Sequence, residues 1–102
     1  MKNTAFLILK TKWFDLIKSG NKTSEFRDDK PYYQTRLLDK NIQKCIFQKG
    51  YSANERMIAD VIEIKRIFYK GRPTIELKLG NVIHIDKEPD IPYEPIYSDI
   101  TE

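Results

Sequence analysis

The chain has 102 residues and a mass of 12.1 kDa, which suits one domain with one modest core. Its composition, 40% hydrophobic and 32% charged, argues against wholesale disorder, and no apolar run is long enough for a membrane-spanning helix. Residues 86–102 hold six acids and one base, leaving 17 bases against nine acids in the first 85 residues. A basic body with an acidic tail suggests a polyanionic partner, although a merely solvated surface is the plainer reading. The five apolar residues Ala5-Phe6-Leu7-Ile8-Leu9 are too few for a signal-peptide core, and one cysteine excludes an internal disulfide framework. The expected address is the cytoplasm.

In chain order, Ala5–Lys10 reads as a buried strand, too continuous for a half-exposed one and too short for a helix. Thr11 is placed to cap a two-turn helix in which Trp13, Phe14 and Ile17 share a face, ending at Ser19-Gly20. Lys22–Arg27 is extended, with Thr23, Glu25 and Arg27 on one face and Ser24 and Phe26 on the other. Asp28-Asp29-Lys30-Pro31 breaks that strand, and Tyr32–Asp39 reads as a helical turn carrying Tyr33, Leu37 and Arg36 on one side. Lys44–Lys49 alternates, bringing Cys45 and Phe47 together, and Gly50–Asn54 is a connection. The β-branched content of Met57–Tyr69 favours one bent strand or two short ones. Lys70–Pro73 turns into a strand at Thr74–Leu79, and Gly80-Asn81 separates it from another at Val82–Ile85. The prolines at 89, 92 and 95 suit an extended tail, anchored by Ile91, Tyr93, Ile96 and Tyr97 across the basic body. The expected fold is α+β, a small curved sheet or barrel over residues 1–85 followed by the acidic segment 86–102.

Lys22, Glu25 and Arg27 set two cations and a carboxylate within six residues. They can attract phosphate and read an exocyclic amine, whereas spacing alone favours a structural ion pair on an exposed strand. Tyr32, Tyr33 and Tyr51 interleave with Lys30, Arg36 and Lys49, a pattern that suits stacked bases of single-stranded nucleic acid. The competing role for these tyrosines is packing with wet hydroxyls, expected first of Tyr33. Trp13 and Phe14 are expected in the core or a cleft wall, and His84 and Cys45 in core or edge roles. No His/Cys cluster has metal-ligand spacing and no glycine-rich phosphate loop exists, so neither a metal nor a cofactor is expected.

Gly20, Lys22, Glu25 and Arg27 spell G-x-K-x-x-E-x-R, and the stretch from Leu9 to Arg27 resembles the ASCH family of the PUA-like superfamily. The following Lys30-Pro31-Tyr32-Tyr33-Gln34-Thr35-Arg36-Leu37 looks like the K-P-Y-aromatic-x-x-R-L extension of small phage and bacterial members. Phe47–Ser52 and Ile75–Gly80 also match, giving collinear resemblance over roughly residues 5–85. The resemblance implies a PUA-like β-barrel with one or two short helices flanking a basic cleft that takes RNA or a nucleotide. Lys10, Lys22, Arg27, Lys30 and Arg36 would supply charge there, Tyr32 and Tyr51 stacking, and Glu25 base selection. Some relatives are amidohydrolases of an acylated cytidine or ribonucleases; in that role Lys22 would stabilise an oxyanion and Glu25 would transfer protons. The amidohydrolase pattern has a threonine three residues after the lysine, where this chain has Glu25, and Thr23 stands at the wrong offset. A third reading is an accessory factor whose basic face meets an acidic protein. Membrane partners are not expected.

Overall fold

The computed structural model describes residues 3–51 and 55–85. The expected boundary at residue 85 borders this range, and the acidic segment 86–102 lies outside it. The elements are β1 (Thr4–Leu9), α1 (Thr11–Lys18), β2 (Ser24–Asp28), α2 (Pro31–Tyr33, running on into a π-helical stretch Gln34–Leu38), β3 (Lys44–Lys49), β4 (Arg56–Tyr69) and β5 (Arg72–Ile85). The strands form one sheet in the order β1-β3-β4-β5-β2, with β1 and β3 parallel and every other pair antiparallel. This is a small, mostly-sheet domain: a curled five-strand half-barrel with two short helices. Among the described residues, no helix is long and apolar enough to cross a membrane.

The main core lies inside the curl. Leu7 and Leu9 of β1, Cys45 and Phe47 of β3, and Ile75, Leu77 and Leu79 of β5 meet Phe14 and Ile17 of α1 and Tyr33 and Leu37 of α2. The helical spacing of Phe14 and Ile17 produces this contact, because residues three apart share a face. Phe6, Ile8 and Ile46 form a second buried cluster with Ile58 against it. Strands β1 and β3 are therefore apolar on both faces, which accounts for the unbroken run Ala5–Leu9.

Two local expectations are corrected. Thr11 is the first residue inside α1 rather than its cap; Lys10 stands at the cap position, and no side chain bonds the helix end. The expected break at Gly80-Asn81 is absent, and β5 runs unbroken from Arg72 to Ile85. Gly80 instead permits close approach: a Cβ built there would lie 3.2 Å from Ile62 Cγ1, opposite the register shifts between Ala59 and Glu63. His84, expected in the core or at an edge, takes an edge position: it is exposed near the end of β5, beyond the β2 pairing, with Nε2 3.3 Å from Glu55 Oε2. Long β4 and β5 are joined by Lys70-Gly71, both with positive φ (52° and 77°), the pattern of a type I′ hairpin turn.

The hairpin tip is tied to the segment after β2. Asp29 accepts hydrogen bonds from Arg66 Nε and Nη2 at 2.8 and 3.1 Å and from Gln34 Nε2 at 2.8 Å. The bonds from Arg66, then from Gln34, hold the Asp29 carboxyl below its ordinary value. Because the folded pKa is the lower one, this stabilisation is complete above the unfolded value and is lost as pH falls through the folded value. Acidification below about pH 4 should therefore lower the amide-exchange protection of residues 64–74 relative to unfolded-chain rates at the same pH, and Asp29→Asn should remove that pH step. The Gly80 contact gives a second expectation. Gly80→Ala should destabilise by about 1–3 kcal/mol through overpacking, and adding Ile62→Ala should restore part of the urea midpoint.

Candidate functional site

The motif lies on β2, where alternation sends Glu25 and Arg27 into the curl and Ser24 and Phe26 away from it. Both charged residues are fully buried. Arg27 donates to Glu25 Oε2 from Nε at 3.0 Å and approaches the same oxygen through Nη2 at 2.7 Å. Nη2 also reaches the Ile8 carbonyl at 3.2 Å, and Nη1 reaches the Tyr33 hydroxyl at 3.4 Å. Burial opposes the guanidinium's charge, but Glu25 and Tyr33 outweigh it and leave the Arg27 pKa raised. The expected ion pair thus exists, but in the interior rather than on an exposed strand. Tyr33 packs in the core as expected, with its hydroxyl on the guanidinium instead of in water.

Lys22 stands at the rim of this buried pair. Its ammonium is 4.0 Å from Glu25 Oε1 and lies over two rings, 5.1 Å from the Trp13 centroid and 4.8 Å from that of Phe26. Only 11% of the Lys22 side chain is exposed. The rings extend into a column: Lys12 lies over Trp13 at 4.8 Å, Phe26 stacks on Tyr69 at 4.4 Å, and Lys70 lies over Tyr69 at 5.3 Å. Such contacts allow an ammonium to be desolvated beside an aromatic surface while keeping its charge. Trp13 is half-buried against the main core, and Phe14 lies within it.

The remaining candidates divide into two places. Tyr32 meets Tyr33 edge-on at 5.2 Å and carries the Arg36 guanidinium over its ring at 3.8 Å, so both join the Arg27 network through Tyr33. Lys30 is exposed at the start of α2, 3.4 Å from Asp28. Lys10 and Tyr51 lie at the other place, the C-terminal ends of parallel β1 and β3, where Gly50 N–H bonds the Leu9 carbonyl. Tyr51 is 69% exposed and Lys10 is exposed at the head of α1. Nearby, Glu55 gathers His84, Lys49 and Lys18 at 3.3–3.4 Å, and these bonds, that of His84 foremost, hold its carboxyl below the ordinary value.

Several participants were missed. Phe26 and Tyr69 are far apart in sequence and meet only through the folded sheet, across β5 from one another. The Arg56–Gln48 pair, with bonds of 3.0 and 2.7 Å to Gln48 Oε1, is a second buried guanidinium site. Its signal was available: Gln48 and Arg56 flank one connection between adjacent strands. Cys45 is wholly buried, and burial pushes its thiol far up, so it is unsuited to nucleophilic chemistry. Among the described residues no three His, Cys, Asp or Glu side chains are grouped to hold a metal.

Comparison with protein-family models, curated proteins and solved structures finds no match.

The buried pair makes a direct stability prediction. Glu25→Gln should destabilise the fold by about 3–5 kcal/mol, since it leaves the guanidinium buried without its counter-charge. Replacing both partners with apolar residues, Glu25→Leu with Arg27→Met, should cost far less than the single change. Urea unfolding of the single and double variants checks both values.

Proposed function

We propose that this chain is a PUA-like nucleic-acid-binding module that takes single-stranded RNA, or a nucleotide from it, at the rim around Lys22. The observation that carries the reading is the Lys22 ammonium, held between Trp13 and Phe26 directly above the buried Glu25–Arg27 pair. A phosphate attracts the lysines, and bases have ring surfaces on which to stack once they displace the outer ammonium groups of Lys12 and Lys70. The Tyr32–Arg36 pair offers a further exposed ring with a half-buried cation over it on the same network. The G-x-K-x-x-E-x-R resemblance agrees with this location, since its lysine is the rim residue and its glutamate and arginine are the support beneath.

In this reading Arg27 acts by positioning. It holds Glu25, and Glu25 holds Lys22 at the rim. A base-reading role for Glu25 requires a ligand to pass Lys22, and no observation specifically favours hydrolysis by this buried carboxylate. The basic body supplies the long-range attraction that brings a polyanion to the rim.

The test is fluorescence anisotropy of a labelled single-stranded RNA as a function of salt. Lys22→Ala should weaken binding and reduce the slope of log affinity against log salt by roughly 0.7, the value for one lost phosphate contact. Lys78→Ala, on an exposed position of β5, should have a smaller effect. Equal losses in both variants would mean diffuse attraction and would remove the rim assignment.

A further inference from the structure

Strand β4 continues after its neighbour on one side has ended. β3 pairs with it only from Arg56 to Asp60, and Val61 N–H makes one further bond to the Gln43 carbonyl at 2.8 Å. On the other side β5 accompanies it to Tyr69. Among the described residues, no strand lies beside Ile62–Phe68 on the β3 side.

Hairpin geometry identifies the backbone groups that this edge presents. Tyr69 and Arg72 close the two-residue turn and form a hydrogen-bonded pair. Alternation from there directs Ile67, Lys65 and Glu63 toward β5 and points the N–H and C=O groups of Phe68, Arg66 and Ile64 outward. The side chains along the edge include two exposed apolar residues, Ile62 at 65% and Phe68 at 79%. A groove of about 250 Å³ opens at its start, lined chiefly by Leu37, Leu38, Ile42, Val61, Ile62 and Ile64. Backbone donors, backbone acceptors and a groove walled by these apolar side chains together with Asn41 and Glu63 therefore lie along one stretch of β4.

We propose that this edge receives an extended, acidic and apolar segment of a partner protein as an added β-strand, with one apolar side chain seated in the groove. Charge selects that occupant. Between Val61 and Leu79 the hairpin carries Lys65, Arg66, Lys70, Arg72 and Lys78 against Glu63 and Glu76. Arg66 and Arg72 are answered by Asp29 and Asp28, so Lys65, 3.8–3.9 Å from Glu76 and Glu63, and Lys70 at the turn are the cations that face an acidic strand. A second copy of the chain fits poorly. The two antiparallel registers that use the whole edge set Lys65 against Lys65 or Arg66 against Arg66, and like charges directly opposite destabilise a pair. Registers shifted toward Asp60 are shortened, because β3 already occupies that part of β4. A lysine on an open edge commonly discourages self-pairing, and an acidic strand removes that obstacle. Peptide addition to a sheet edge draws affinity from main-chain bonds and specificity from pockets for alternate side chains.

The probe is a labelled eight-residue peptide of alternating valine and aspartate, titrated into the full chain by anisotropy. N-methylation of alternate amides on one edge of the peptide should weaken binding by at least tenfold, and methylation of the other edge should leave it intact. A valine–lysine peptide should bind at least tenfold more weakly than the aspartate peptide. Lys65→Glu, an exposed change that leaves the core untouched, should narrow or invert that preference. Phe68→Ala should weaken both peptides. Equal binding of the two methylated peptides would overturn the proposal. So would concentration-dependent dimerisation in light scattering without peptide binding, which would assign the edge to a second copy. Displacement of methylation-insensitive peptide by single-stranded RNA would assign the hairpin to nucleic acid and also overturn it.

Discussion

An arginine side chain placed in an apolar interior must find partners for its N–H groups, or the fold loses several kcal/mol. Arg27 meets this requirement with three elements at once: Glu25 on its own strand, the Ile8 carbonyl on β1 and the Tyr33 hydroxyl on α2. β1 and β2 are the two outer strands of the sheet, so the bond to Ile8 spans the gap that a closed barrel would fill with a ladder. The curl of the sheet and the seat of α2 therefore depend on one guanidinium. Because that group is charged, its counter-ion must be buried with it, and Glu25 on the same strand face satisfies this at 2.7 Å.

This arrangement carries the electrostatics of the interior out to the surface. Glu25 uses one carboxylate oxygen for Arg27 and turns the other toward Lys22 at 4.0 Å. Lys22 is almost as buried as its partners, and the Trp13 and Phe26 rings replace part of the water it would otherwise have. The rim cation is thus fixed in position before any ligand arrives. Ordering costs on binding fall when a charged side chain is already held in this way.

The sequence made the pairing of Glu25 and Arg27 readable, since residues two apart on a strand share a face. It did not reveal that this face is the inner one, because charged residues usually mark the solvent side. The same difficulty hid Arg56 and Gln48. Apolar pattern works well where both faces are buried: the strands it predicts at Ala5–Lys10 and Lys44–Lys49 lie close to the observed Thr4–Leu9 and Lys44–Lys49. Pro73 and Gly80 misled for the opposite reason. Local propensity suggested turns and breaks, but a type I′ turn joins two 14-residue strands; Pro73 pairs with Phe68, and β5 runs on through Gly80 at the register shift. The candidate site split for a related reason: Lys10 and Tyr51 are close to the motif in no register that strand pairing imposes.

The irregularity in β4 links the fold to its open edge. Register shifts between Ala59 and Glu63 bend the strand where Gly80, lacking a side chain, lets β5 approach Ile62. β3 pairing also ends there, with the Val61–Gln43 bond as its last rung. A straight β4 would run parallel to the continuation of β3 and favour a longer shared ladder. Beyond the register shifts the second half of β4 carries Tyr69, which stacks on Phe26, and Arg66, which bonds Asp29. The same half of the strand has no neighbour on its β3 side among the described residues. The aromatic column beside Lys22 and the open edge thus share one stretch of chain.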